Sequence, residues 1–119
     1  MERFREIIET INEQLLISAP INIQMSWGVS KKVGIMYENM CTLGIKVQGF
    51  LHNGWVYISY NEGLDEYEIR LVGDKNQVLK LIKGVFFDEM GDVVDRLVER
   101  GYDSDEEYTQ KVLKCYKVL

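Results

Sequence analysis

The sequence predicts a single α+β domain built on an antiparallel meander, and three observations predict it. Apolar residues recur at helical spacing near both ends of the chain, they alternate at period two through the middle, and short turn-forming clusters join the alternating runs with no helical stretch between them. Parallel strands need crossovers of a dozen or more residues, so strands joined this tightly pair antiparallel. The expected order is one N-terminal helix, a four- to five-stranded sheet and two C-terminal helices, with residues 1–119 forming one domain. A chain of this length removes about two-thirds of its unfolded surface from water and needs neither disulfide nor metal to fold.

Phe4, Ile7, Ile8, Ile11 and Leu15 make one apolar stripe opposite Glu and Arg, and Pro20 cannot continue it, so residues 2–17 read as an amphipathic helix. From Ile21 the period changes. Ile21, Ile23, Met25 and Trp27 alternate with polar residues, and after Gly28 so do Val33, Ile35 and Tyr37, which predicts one or two strands.

Asn53-Gly54 lies between alternating runs and supplies the two positive-φ residues of a type I′ hairpin turn. With those two as the loop, His52 pairs with Trp55, Leu51 with Val56, Phe50 with Tyr57, Gly49 with Ile58 and Gln48 with Ser59. The register assigns Leu43, Ile45, Val47, Leu51, Val56, Ile58 and Tyr60 to one face, expected to be the core. The other face receives Lys46, Gln48, Phe50, His52, Trp55, Tyr57 and Ser59. A turn at Asn61-Glu62-Gly63 leads to a strand carrying Tyr67, Ile69 and Leu71 between Glu66, Glu68 and Arg70. Gly73-Asp74-Lys75-Asn76 leads to a last run, Val78 to Ile82.

Near Phe87 the period returns to helical. Phe87, Met90, Val94, Leu97 and Val98 form a stripe that Gly101 ends, and Ser104 with Glu107 forms a capping box opening a last helix with Tyr108, Val112, Cys115, Tyr116 and Leu119.

Charge is unevenly distributed. Residues 1–60 hold five acids and five basic residues, whereas residues 61–119 hold fourteen acids and nine basic residues, which leaves the whole chain at −5. Sequence-independent nucleic-acid binding draws its affinity from cationic side chains, so direct contact with nucleic acid is not expected. Glu2, Arg3, Arg5, Glu6, Glu9 and Glu13 deny the first helix the character of a signal peptide or membrane span, and a cytoplasmic protein without membrane association is expected. Two cysteines are too few for a disulfide framework.

Catalytic and metal-binding patterns are sparse. Cys41, Cys115 and His52 are widely separated and give neither a zinc ligand set nor its spacing, and the glycines are scattered singly rather than forming a phosphate loop. No cofactor and no metal are expected. His52, the only histidine, reads as a surface neighbour of the turn, and a small enzyme using it with a nearby carboxylate is the alternative reading.

Two features point to contacts. Asp88, Asp92, Asp95 and Glu99 stand at i, i+4, i+7 and i+11, placing four carboxylates in a row on one helix face, to be read as a solvated stripe or as a recognition surface for a basic partner. Phe50, Trp55 and Tyr57, with His52 at the edge, cluster on a face otherwise made of Lys46, Gln48, Ser59, Glu68 and Arg70. Aromatic rings in a polar frame mark interface hot spots, so this face is the expected binding site if no helix covers it.

The stretch Trp55-Val-Tyr-Ile-Ser-Tyr-Asn-Glu-Gly-Leu-Asp-Glu-Tyr-Glu-Ile, followed by Gly84-Val-Phe-Phe-Asp-Glu-Met and Val93-Val-Asp-Arg-Leu-Val-Glu, resembles small uncharacterised proteins of phage- and plasmid-type mobile elements. The likeness is one of pattern, with no catalytic motif to transfer. It implies a non-enzymatic accessory role. The expected function is therefore a protein-binding or regulatory module, with a foreign protein or a second copy as partner, and a structural homo-oligomer through the aromatic face as a further alternative.

Overall fold

A computed structural model describes residues 2–101 and Gln110. The first helix, α1, spans Glu2–Ser18, with Ile11 and Leu15 fully buried and Ile7 and Ile8 packed against the core. Pro20 ends the ladder as expected but then opens a second helix, α2 (Ile21–Ser26), where strand was predicted. The alternation of Ile21, Ile23, Met25 and Trp27 was misleading because the buried positions are Gln24 and Trp27, one helical turn apart, while Ile21 and Met25 face solvent. Proline fixes φ for a helical start, its carbonyl accepts the amides of Ile23 and Gln24, and Gln24 Nε2 donates to the Ala19 carbonyl at 2.9 Å.

Five strands follow: β1 (Lys31–Tyr37), β2 (Met40–Gln48), β3 (Asn53–Asn61), β4 (Glu66–Val72) and β5 (Val78–Val85). They lie in sequence order and pair antiparallel throughout, which is the predicted meander. The two-residue turn with both residues left-handed is Glu38-Asn39, at φ 48° and 65°, between paired Tyr37 and Met40. Asn53 and Gly54 are instead the first residues of β3, paired with Gln48 and Val47, and the β2–β3 loop is 49–52. Gly54, at φ 157°, is close to extended. It is demanded by crowding, because a Cβ there would stand 2.7 Å from the Val72 carbonyl oxygen.

The predicted pairing is thus displaced by six residues, an even number, so every side chain from 43 to 48 and from 55 to 60 keeps its assigned face. An odd slip would turn Leu43, Ile45 and Val47 outward, each losing about 1.5–3 kcal/mol of burial, in a domain whose whole stability is about 5–15 kcal/mol. Phe50, Leu51 and His52 leave the sheet and occupy the loop.

Leu43, Ile45, Val47, Val56, Ile58, Tyr67, Ile69 and Leu71 form the core face, on which α1 and the C-terminal helical segment lie. That segment is α3 (Met90–Asp95) running into a π-helical turn (Arg96–Arg100) that ends at Gly101, φ 61°, whose amide reaches the Arg96 carbonyl at 2.8 Å. Met90, Val94 and Val98 are buried as predicted, whereas Phe87 lies before the helix and is exposed. Hydrogen bonds tie this segment to the first helices and to the β2–β3 loop. Gly91 N–H donates to Ser18 Oγ (3.0 Å), Trp27 Nε1–H to Asp95 Oδ1 (2.9 Å) and Leu51 N–H to the Val98 carbonyl (2.8 Å). The predicted capping box at Ser104 and Glu107, and the last helix with Cys115, lie outside the described residues.

Candidate functional site: the open face of the sheet

The face opposite the core is built of cross-strand rows fixed by the register. Lys31, Lys46, Trp55 and Val72 form one row; Val33, Gly44, Tyr57, Arg70 and Leu81 the next; Ile35, Thr42, Ser59 and Glu68 a third; and Tyr37 stands beyond them, beside the hairpin turn. Among the described residues, no helix packs on this face.

Its own aromatic rings cover it instead. Tyr37 and Tyr57 belong to the two strands flanking β2, which lie about 9.6 Å apart, yet their ring centroids are 5.4 Å apart and meet edge to face. Both rings therefore lean across β2, where Thr42 is fully buried. Gly44 makes room for this, since a Cβ there would stand 3.2 Å from Val33 Cγ2, 3.4 Å from Tyr57 Cε1 and 3.5 Å from Trp55 Cε3. Trp55 extends the cluster at 6.4 Å from Tyr57, with Lys46 Nζ 5.6 Å above its indole. Arg70 Cζ lies 4.9 Å from the Tyr37 ring. Trp55 and Tyr57 are half-buried.

The polar frame expected around the rings is largely internal. Ser59, Glu68 and Arg70 are buried, and each has a partner: the Thr42 and Ser59 hydroxyls are 2.8 Å apart, Arg70 Nη2 donates to Glu68 Oε1 at 2.8 Å, and Asn61 Nδ2 donates to Glu68 Oε2 at 3.1 Å. Burial pushes the Glu68 carboxyl up, but the Asn61 and Arg70 hydrogen bonds, with the Arg70 and Lys83 charges, outweigh it and hold the carboxyl below its ordinary value. Lys46 alone of the framing cations stays half-exposed at the ring edge.

Of the four predicted site residues, then, Trp55 and Tyr57 share the face and two do not. Phe50 is 45% exposed in the β2–β3 loop, its amide donating to Glu99 Oε2 at 3.2 Å. His52 is only 6% exposed rather than a surface neighbour, and its Nε2–H donates to the Trp55 carbonyl at 3.0 Å. Both were misplaced by taking Asn53-Gly54 as the turn, which extended the strands into the loop. Tyr37 was missed as a member, although its alternation with Val33 and Ile35 put it on this face once the Glu38-Asn39 turn is recognised.

The acidic row also dissolves. Asp88 precedes α3, and Asp92 is exposed and bonded to Arg96 Nε at 3.0 Å. Asp95 accepts the Trp27 indole N–H, and Glu99 is buried and accepts the Phe50 amide. A single α-helix from residue 88 would have aligned all four, but the helix starts two residues later and ends in a π turn. Among the described residues no cluster of three or more His, Cys, Asp or Glu side chains could hold a metal ion.

The arrangement defines a sheet-face aromatic platform on an antiparallel α+β meander. No protein-family model, curated protein or solved structure matches the chain. Among the described residues no helix is long and apolar enough to cross a membrane.

Proposed function

We propose that the chain is a non-catalytic protein-binding module, a cytoplasmic accessory protein of the mobile-element type that segments 55–69, 84–90 and 93–99 resemble. Its contact surface is the Tyr37, Trp55 and Tyr57 platform. The observation that carries the reading is the ring cluster itself, half-buried on a sheet face that no described helix covers. Rings already locked by Gly44, Arg70 and Lys46 lose little conformational entropy on binding, which is the property that makes aromatic residues interface anchors. Lys31 and Lys46 at one margin favour a partner that brings a carboxylate together with apolar groups.

The test is retention of protein from native cell extract on immobilised wild type, Phe50→Ala, Lys46→Glu and Trp55→Ala, alongside sedimentation of each variant. Retention lost in Trp55→Ala and Lys46→Glu but kept in Phe50→Ala supports the platform, with about 2 kcal/mol or more lost for Trp55 as a hot spot. A dimer dissolved by the same two variants makes a second copy the partner. Retention unaffected by both, with circular dichroism unchanged, overturns the reading.

A further inference from the structure

A second site lies across the sheet, at the end where α1 begins, and it differs in chemistry from the platform. A cleft of about 530 Å³ is lined by Gln14, Tyr60, Asp65, Tyr67, Phe86, Phe87 and Asp88, and it runs into a neighbouring hollow of about 320 Å³ that adds Glu6 and Thr10. The Tyr60 and Tyr67 rings form its floor with centroids 5.4 Å apart. Tyr60 donates its hydroxyl to Asp65 Oδ1 at 2.6 Å, and Tyr67 donates its own to Gln14 Oε1, so the hydroxyls are tied down.

The wall is unusual. Phe86 and Phe87 are 56% and 57% exposed, yet they sit in a closed turn in which the Phe86 amide donates to Glu89 Oε1 at 3.0 Å and the Glu89 amide returns to the Phe86 carbonyl at 3.1 Å. Two adjacent phenyl rings held out by an ordered turn at the lip of a cleft forgo burial worth about 1.5–3 kcal/mol each. Exposed rings of this kind mark contact surfaces.

The occupant follows from charge. Asp65, Asp88 and Glu6 supply carboxylates to the two hollows, and the one cation lining them among the described residues, Arg3, is already paired with Glu62. Ring faces attract cations, and carboxylates hold a guanidinium through charge-assisted hydrogen bonds. A planar guanidinium satisfies both at once, stacking on a ring while its N–H edge meets an acid, which an ammonium cannot do.

The geometry points to this cleft as a docking site for an arginine side chain presented by a basic protein segment. Its position on the core side of the sheet separates it from the Trp55 platform, so the two sites can be tested independently.

The experiment is titration of ¹⁵N-labelled protein with an end-blocked Gly-Arg-Gly-Arg-Gly peptide, and with its citrulline counterpart, at low and physiological salt. The arginine peptide is expected to shift the amides of Asp65 and of 86–88 at low salt and to weaken as salt rises. The citrulline peptide is expected to do neither. Phe87→Ala and Asp88→Asn, both at exposed positions, should each weaken binding by about threefold to tenfold, and Trp55→Ala should leave it unchanged. Equal binding of the two peptides, no shift with either, or affinity indifferent to Phe87→Ala each overturns the assignment.

Discussion

Asp92 and Asp95 stand three residues apart in one acidic helix, yet replacing each with alanine should have very different effects. Asp95 Oδ1 receives the Nε1–H of Trp27, an indole with no exposed surface at all, at 2.9 Å. Removing the acceptor strands a buried donor, for which the loss is about 1–3 kcal/mol. Asp92 makes an exposed i,i+4 pair with Arg96, of a kind worth about 0.3–0.5 kcal/mol. Both changes gain the same helix propensity from alanine, so that contribution cancels in the comparison. Urea unfolding should therefore place Asp95→Ala about 1–2 kcal/mol below Asp92→Ala, or roughly 3–8 °C in melting temperature for a domain of this size. Trp27→Phe removes the same bond from the other side, so the double variant with Asp95→Ala should show a coupling of about 1 kcal/mol. Equal losses at 92 and 95, or a coupling indistinguishable from zero, would refute the inward role of Asp95 and restore the solvated stripe.

Gly49→Ala should lower stability by about 2 kcal/mol or more, because the new Cβ would stand 2.4 Å from the Val98 carbonyl oxygen, and a denaturation midpoint equal to wild type would contradict that packing. The folded-state value of Glu68 is depressed, so its contribution is fully present above the ordinary 4.5 and is lost as pH falls through the lower folded value; Glu68→Gln should flatten acid unfolding over that interval. Tyr67 is raised, by burial first and then by the charges of Tyr60 and Asp65, to about 12, so its contribution is present below 10 and is lost as pH rises through about 12. Ultraviolet titration should find a late phenol that disappears in Tyr67→Phe.

How legible the fold was depended on whether a local rule had a competitor. The α1 stripe and the strand alternation from Val33 to Leu71 had none, because each pattern could bury its apolar side only one way. Asn53-Gly54 satisfied a turn rule, but the chain placed its left-handed pair at Glu38-Asn39, and Gly54 was required by the nearby Val72 carbonyl, a long-range contact that no local pattern carries. Ile21 to Trp27 fits period two and a single helical turn equally well over so few residues, and the buried Gln24 decides for helix. For the platform, Trp55 and Tyr57 were legible because an even register error preserves faces. The cleft was not, since Gln14, Tyr60 and Phe87 come from three distant segments. The inward turn of Asp95 and Glu99 likewise depends on partners 68 and 49 residues away.

The bond from Leu51 to Val98 sets a rotational phase. A helix closing over five residues instead of four carries one extra residue, which rotates the chain beyond it by on the order of 100°. Gly49, too close to Val98 for any side chain, and Phe50, bonded to Glu99, lock that phase from the loop side. The β2–β3 loop and the π turn should therefore open as one unit. Deuterium uptake at the Leu51 amide should report the free energy of that opening, and the hairpin loop becomes a gauge of whether the C-terminal segment is seated.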